Sequence, residues 1–100
     1  MKEDRKSKPV FSGVIKYFPD AILEVAKCSK AGNDQHHPDL PLHWDRTKSS
    51  DHLDALARHL IQAGQIDDDG ILHSTKVAWR ALANLQVELE KRGQTKIIDK

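Results

Sequence analysis

The residues best placed to do chemistry form a polar stripe in the last third of the chain. His73, Lys76, Arg80 and Asn84 are spaced so that, at about 100° per residue, they lie along one side of a helix. Their donors would suit the oxygens of a phosphorylated ligand, and the arginine could bind two of them at once. A solvent-exposed helix face shows the same pattern, and the spacing does not separate these two interpretations.

A second candidate is the carboxylate of Glu24. Its neighbours on the same side of a helix are the small residues Ala21, Cys28 and Ala31, so another backbone could come close and partly enclose it. An enclosed carboxylate needs a cation, a metal ion or a set of donors. Spacing alone favours the simpler interpretation, which is a surface glutamate paired with Lys27.

Three consecutive aspartates precede a glycine at residues 67–70 and resemble part of a calcium loop. The match fails in the EF-hand register, which would place Gln65 at the first ligand position and Lys76 where a bidentate glutamate belongs. The segment is therefore predicted to be an acidic turn before a helix. It could help to hold Mg²⁺ if it lies beside Glu24 and Asp54.

The histidines give weaker signals. His36, His37 and His43 do not have the spacing of a standard structural zinc site, which argues against zinc. His52 and His59 are seven residues apart, and two helical turns are too far for one helix to offer both to one ion. Each of these two is predicted to be solvated or to lie at the edge of the core.

Composition excludes several classes of protein. The 100 residues are enough for one domain with a thin core. The 16 Lys and Arg against 15 Asp and Glu argue against a general nucleic-acid binder. The single cysteine, Cys28, excludes an intrachain disulfide framework and fits a reducing compartment, and its place after apolar residues predicts an inert thiol. With no apolar run near the ~20 residues of a membrane span, we expect a cytoplasmic protein without membrane partners.

Three helices are needed to position these side chains. Pro19 and Gly32 bound the first, over about residues 19–31. Ser49 or Ser50 is predicted to cap the second, which Gly64 ends. The third begins between residues 69 and 74 and stops at residue 93. We expect a flexible charged arm over residues 1–9, a single helical domain over 10–93 and a short tail over 94–100.

Apolar spacing also predicts which faces are buried. The predicted inward-facing side chains of the second and third helices are Leu53, Leu56, Ala57 and Leu60, and Ile71, Ala78, Leu82, Leu85 and Leu89. Residues 10–18 are expected to form an ordered, strand-like lead-in that lays Phe11, Ile15, Tyr17 and Phe18 over the core. The loop over residues 33–48 holds two prolines and a tryptophan, and is predicted to be ordered and functional.

Four segments together resemble a known family. They are YFPDAILEVAKCSKAGND, LHWDR, SSDHLDALARHL and DDDGILHSTKVAWRALANLQVELE. The most specific features are the His43-Trp44 pair, the D-A-L-x-R-H-L stretch at residues 54–60, and His73 with V-A-W-R-A-L at 77–82. The chain thereby resembles the phage-associated N-terminal domain of dATP/dGTP diphosphohydrolases, which looks akin to the wider all-α nucleoside triphosphate pyrophosphohydrolases.

This resemblance implies a fold, an activity and a set of residues. The fold is an all-α bundle of three main helices, and the activity is Mg²⁺- or Mn²⁺-dependent hydrolysis of a purine deoxynucleoside triphosphate to monophosphate and pyrophosphate. Carried over by residue, Glu24 and Asp54 are the catalytic carboxylates, and Asp51 joins them on the ion. His43 and Trp44 would lie near the base. The predicted phosphate-binding residues are Lys30, Arg58, Lys76 and Arg80. The setting would be the cytoplasm of an infected bacterium.

One departure from the family pattern leaves alternatives open. The wider superfamily has a second acid where this chain has Lys27. A nucleotide-binding protein that has lost the chemistry, and sequesters or senses a linear or cyclic nucleotide, is therefore the second hypothesis. A third is an accessory bundle whose role is self-association.

All three hypotheses predict a homo-oligomer. Three helices leave apolar side chains beside the polar stripe of the third helix, namely Val77, Ala81 and Val87. One small chain can hardly cover them, and burial between copies is the usual remedy. We expect a dimer or a higher even-numbered assembly.

Overall fold

The protein is all-α, as the sequence predicts. A computed structural model describes residues 5–47 and 50–93, in which three α-helices pack together: α1, Pro19–His36; α2, His52–Ile61; and α3, His73–Lys91. A short π-helical segment, Phe11–Ile15, precedes them. The first four residues of the predicted arm, the predicted tail at 94–100 and the candidate cap Ser49 lie outside the described residues.

Helix α1 begins as predicted but ends later. Pro19 stands in its first turn together with Asp20. Gly32 does not stop the helix, because it is not among the glycines with positive φ, and α1 continues to His36. The helix ends where Pro38 follows, since the residue before a proline disfavours the α conformation. The prediction of an end near residue 31 is therefore wrong, and residues 33–36 of the predicted loop are helical.

The glycine signals were more reliable after the other two helices. Gly64 has φ +90° and Gly93 has φ +69°, the left-handed conformation that glycine adopts at little cost beyond a helix end. The N-cap of α2 is Asp51 rather than Ser50, and its side chain makes no capping hydrogen bond. Helix α3 begins at His73, inside the predicted interval.

The lead-in before α1 is helical, which corrects the strand-like prediction. The amide of Lys16 donates to the carbonyl of Phe11, and the amide of Phe18 donates to that of Val14. These local bonds use the backbone donors that a strand would need for pairing. Phe11 and Tyr17 are 64% and 70% exposed, and Ile15 and Phe18 are also exposed, so none of these four covers the core.

The core is thin, and the burial along α2 and α3 differs in part from the prediction. Ile71 is buried as predicted, Leu56, Ala78 and Leu89 are half-buried, and Ala57 is exposed. Leu53 and Leu60 of α2 and Leu82 and Leu85 of α3 are exposed. The buried apolar side chains are Ala55, Ile71 and Ala83, and the buried polar ones are Asn33, His52, His73 and Thr75. Polar groups tolerate this burial because they are hydrogen-bonded to one another or to the backbone. The polar stripes thus meet inside the bundle.

The connection over residues 62–72, which contains the acidic turn, joins α2 to α3. Ile66 and Leu72 form an isolated β-bridge, and the amide of Asp67 donates to the carbonyl of Ile71 at 2.9 Å. Gly70 has φ +82° within this turn. The acidic turn predicted from the sequence is therefore a hydrogen-bonded structure that holds its carboxylates against α3. Among the described helices, none is long and apolar enough to cross a membrane.

Candidate functional site

A cleft of about 440 Å³ opens where the three helices meet the loop that joins α1 to α2. Its walls combine two tryptophans, several histidines and three charged side chains from α3 and the acidic turn. The residues that line it include Cys28, Ser29, Asn33, His36, Trp44, His52, His59, Asp69, Lys76, Trp79 and Arg80.

Aromatic rings form one wall of the cleft. The ring centroids of Trp44 and Trp79 are 5.8 Å apart in an edge-to-face arrangement, and His52 lies 6.3 and 6.4 Å from them. The indole N–H of Trp79 donates to Oγ of Ser29 at 2.7 Å, which ties α3 to α1. This wall offers flat, polarisable surface of the kind on which a nucleobase stacks.

The loop that carries Trp44 is fastened at two places. Arg46 lies over the Trp44 ring at 4.0 Å, and its guanidinium donates to both carboxylate oxygens of Glu90 at 3.2 and 2.8 Å. At the other end, Asn33 donates to the carbonyl of Leu40 at 3.1 Å and accepts from the amide of His43 at 3.2 Å. The loop is therefore held to α1 by hydrogen bonds and to α3 by an ion pair.

Arg80 lies beside the aromatic wall and contacts His52. Its Nη1 is 3.1 Å from Nδ1 of His52. A guanidinium only donates, so this nitrogen of His52 accepts and the ring is neutral. Burial, followed by the charge of Arg80, lowers the pKa of His52, which agrees with that tautomer.

Lys76 bridges the two carboxylates of the acidic turn. Its Nζ lies 2.7 Å from Oδ2 of Asp67 and 2.7 Å from Oδ2 of Asp69. The Lys76 hydrogen bond, helped by the amide of Asp68, lowers the pKa of Asp67 to about 2. Burial opposes the charge on Lys76, but the two carboxylates outweigh it and raise the pKa of Lys76 above its usual range.

This bridge predicts an acid-dependent loss of stability. Because the pKa of Asp67 falls from 3.8 to about 2 on folding, its contribution is complete above about pH 4 and is lost as the pH falls towards 2. Lys76→Met should lower the free energy of unfolding at pH 7, and the deficit should shrink between pH 4 and pH 2. Urea titrations at several pH values measure this, with the exposed Lys27→Met as control. A deficit that does not change with pH contradicts the assignment.

Histidines from α2 and α3 meet next to the acidic turn. Nδ1 of His59 lies 2.9 Å from Nδ1 of His73, and Nε2 of His73 lies 3.8 Å from Oδ1 of Asp67. Burial, followed by the charges of Lys76 and His73, lowers the pKa of His59. Together His59, Asp67 and His73 are the group that could hold a metal ion within the part of the chain that the structure describes.

The predicted phosphate- and base-binding residues divide into two sets. Trp44, Lys76 and Arg80 line the cleft. Lys30 is exposed and forms an ion pair with Asp34 at 2.7 Å. His43 contributes its backbone amide to the Asn33 contact, with an exposed side chain, and Arg58 is exposed on α2.

The predicted metal ligands occupy other positions. Glu24 is half-buried on α1, Asp54 is exposed on α2, and Asp51 lies 3.4 Å from Arg58. None of these carboxylates lines the cleft, and the His/Asp group described above does not include them. Glu24, Asp51 and Asp54 as ligands of Mg²⁺ or Mn²⁺ therefore stay a prediction that rests on the family resemblance.

Several residues of the site were not singled out from the sequence. Asn33 falls in the loop predicted to be ordered and functional, Asp69 falls in the predicted acidic turn, and His52 and His59 are predicted to be solvated or at the core edge. Polar residues at helical spacing on both α2 and α3, facing each other across a short turn, were the available signal. Cys28 also lines the cleft, where burial raises the pKa of its thiol, as expected for an unreactive group.

Comparison with known proteins gives one match. The family model described as dATP/dGTP diphosphohydrolase, N-terminal, matches residues 1–97, which is nearly the whole chain. Neither the curated proteins nor the solved structures give a match.

Proposed function

The chain belongs to the dATP/dGTP diphosphohydrolase N-terminal family, and on that premise we propose that it binds a purine deoxynucleoside triphosphate in the cleft and hydrolyses it to monophosphate and pyrophosphate. The observation that supports the proposal best is the joining, in one cleft, of an aromatic wall with two basic side chains. Trp44 and Trp79 would hold the base, and Lys76 and Arg80 would hold the phosphates.

The chemistry requires a divalent cation, Mg²⁺ or Mn²⁺ by family resemblance. Such an ion, when bound, neutralises the triphosphate and activates a water molecule. We keep Glu24 and Asp54 as the proposed catalytic carboxylates, with Asp51 as a further ligand, and Lys30, His43 and Arg58 as outer contacts of the nucleotide. The family resemblance supports these roles for the three acidic and three basic residues. Their positions outside the cleft give the roles no further support.

Two observations favour a second candidate function, binding without turnover. Lys27 stands where the wider superfamily has a second acid, and the ammonium group of Lys76 already pairs with the carboxylates of Asp67 and Asp69. A cleft of this kind could sequester or sense a linear or cyclic nucleotide without hydrolysing it.

One experiment separates these functions. The purified chain is incubated with dATP or dGTP and with Mg²⁺ or Mn²⁺, and released pyrophosphate and the unfolding temperature are both measured. Pyrophosphate release supports the hydrolase. Stabilisation without release supports the binding protein, with a gain of about 2.7 kcal/mol when the ligand is at 100 times its Kd. If no nucleotide is hydrolysed or raises the unfolding temperature, both functions are contradicted. The hypothesis of an accessory bundle that self-associates then remains.

We also propose that the protein is a homo-oligomer, a dimer or a higher even-numbered assembly. Leu82 and Leu85 on α3 are 53% and 50% exposed, and Leu53 and Leu60 on α2 are also exposed. Burying such side chains stabilises by about 25 cal/mol per Å² of apolar surface, so a second copy is the natural cover. The near-zero net charge speaks against nucleic acid as the partner, and resemblance places the protein in the cytoplasm of an infected bacterium.

Light scattering checks the oligomeric state. We expect at least the mass of two chains, and we expect Leu82→Gln with Leu85→Gln to reduce it because both side chains lie on the exposed face of α3. The control is Tyr17→Gln, at a residue that is 70% exposed and lies outside the main helices. A wild-type protein with the mass of one chain at micromolar concentration contradicts the expectation.

A further inference from the structure

Three side chains with metal-binding atoms converge where the acidic turn meets α2 and α3. One ligand atom from each of His59, Asp67 and His73 lies within 4.8 Å of the other two. The three come from three consecutive pieces of the chain: α2, the turn and the first residue of α3. The fold therefore brings these three side chains together, although they are not adjacent in the sequence.

The two imidazoles already have nearly the separation that a shared ion requires. Their Nδ1 atoms are 2.9 Å apart. Two imidazole nitrogens bound to one ion at about 2.0–2.1 Å lie roughly 2.8–3.0 Å apart at octahedral angles and roughly 3.3–3.4 Å apart at tetrahedral angles. An ion would replace the hydrogen bond that now joins the two rings, and both rings would rotate so that their lone pairs converge on it.

The backbone around the group is held in place without an ion. The amide of His73 donates to the carbonyl of Gln65 at 2.9 Å, and the amide of Gly64 donates to Oγ of Ser74 at 3.0 Å. Lys76 holds Oδ2 of Asp67, and the amide of Asp68 holds Oδ1, which lies 3.8 Å from Nε2 of His73. The ring of His73 offers one nitrogen to an ion, either this Nε2 or the Nδ1 that contacts His59. Ligands that are fixed before binding lose little conformational entropy when the ion arrives.

The carboxylates of Asp67 and Asp69 attract a cation. The positive charges of Lys76, which bridges them, and of Arg80 oppose that attraction at His59. His73 is buried and His59 half-buried, so water screens the attraction less than it would at an exposed cluster. His59 and Asp69 line the cleft, which gives an ion a path to this position.

We propose that His59, Asp67 and His73 form a site for one transition-metal ion of the Zn²⁺ type. Two imidazoles and one carboxylate suit Zn²⁺ and Co²⁺, whereas Mg²⁺ and Ca²⁺ take sets of oxygen ligands. Three protein ligands leave at least one coordination position open. The site is separate from the carboxylate set predicted at Glu24, Asp51 and Asp54. It uses His59 without His52, which lies too far along the same helix to bind the same ion.

The test uses the whole chain after treatment with a chelator. Calorimetric titration with Zn²⁺ should show one ion bound at this site and a higher unfolding temperature, and an excess of Mg²⁺ should not displace the bound Zn²⁺. Co²⁺ should give visible absorption bands of a protein-bound ion. Absence of Zn²⁺ binding to the wild-type chain overturns the proposal, whatever happens with nucleotides.

Two variants and a control locate the ion. His59→Gln and Asp67→Asn should each weaken Zn²⁺ binding by at least about tenfold, as loss of a ligand does. His59 and Asp67 are only half-buried, so circular dichroism is expected to show that both variants fold. His36→Gln removes an exposed histidine of the same cleft and should leave the affinity unchanged. Equal Zn²⁺ affinity in His59→Gln and the wild type would refute the assignment.

Discussion

Replacing Trp44 by alanine should weaken nucleotide binding by about 5- to 150-fold, because stacking of one base on an aromatic ring contributes roughly 1–3 kcal/mol. The indole lines the cleft, and the guanidinium of Arg46 lies 4.0 Å from its ring. Fluorescence or calorimetric titration with dATP and dGTP measures the change. Trp44→Phe should recover part of the affinity, since phenylalanine keeps an aromatic face.

A matched control separates a local effect from general destabilisation. Tyr17→Ala also removes an aromatic ring, but one that is exposed and outside the cleft, and it should leave affinity unchanged. Equal affinity for Trp44→Ala and the wild type would show that the base does not stack on this ring. The free energy of unfolding of each variant is measured alongside, because Trp44 also contacts Trp79.

Asn33→Ala should lower the free energy of unfolding by about 1–3 kcal/mol and weaken nucleotide binding as well. The Asn33 side chain is buried and makes two hydrogen bonds to the backbone of the loop, at Leu40 and His43. Alanine leaves that carbonyl and that amide without their partner, which carries the cost of a buried unsatisfied polar group. The loop then loses one of its two fastenings, and Trp44 follows His43 directly in the chain.

The neighbouring residue provides the control. Asp34→Ala removes only an exposed ion pair with Lys30, whose contribution is small, so stability should change by less than about 0.5 kcal/mol. Denaturant unfolding measures both variants, and the fluorescence maximum of the tryptophans reports whether the loop has moved. An Asn33→Ala protein as stable as Asp34→Ala would mean that the two hydrogen bonds do not hold the loop.

Sequence patterns predicted the number and type of helices better than their faces. Pro19 acts locally through its fixed φ angle, and Gly64 and Gly93 act locally because glycine adopts positive φ at little cost. Such local effects are the same in the folded chain as in the sequence pattern. Whether a helix face is buried depends on which other parts of the chain pack against it. Apolar spacing assigned Leu82 and Leu85 to the interior, but the polar sides of α2 and α3 face each other because their histidines and charged groups find partners there.

The candidate site was predictable only in part. Trp44, Lys76 and Arg80 were identified by residue type and family motifs, and they line one cleft. The contact between His59 and His73 spans 14 residues and depends on a turn whose geometry no spacing rule gives. The role of Asn33 is not predicted because Gly32 resembles a helix end, which places Asn33 in the loop instead of on α1.

The most direct measurement of the central claim is a nuclear magnetic resonance titration of the two tryptophan indole N–H groups with dGTP and dATP. The chain has two tryptophans, and both lie in the wall of the cleft. We predict that the Trp44 and Trp79 signals both shift and saturate together as nucleotide is added, and that Trp44→Ala weakens the shift of Trp79. Saturating nucleotide that moves neither indole signal would contradict the cleft as the nucleotide site.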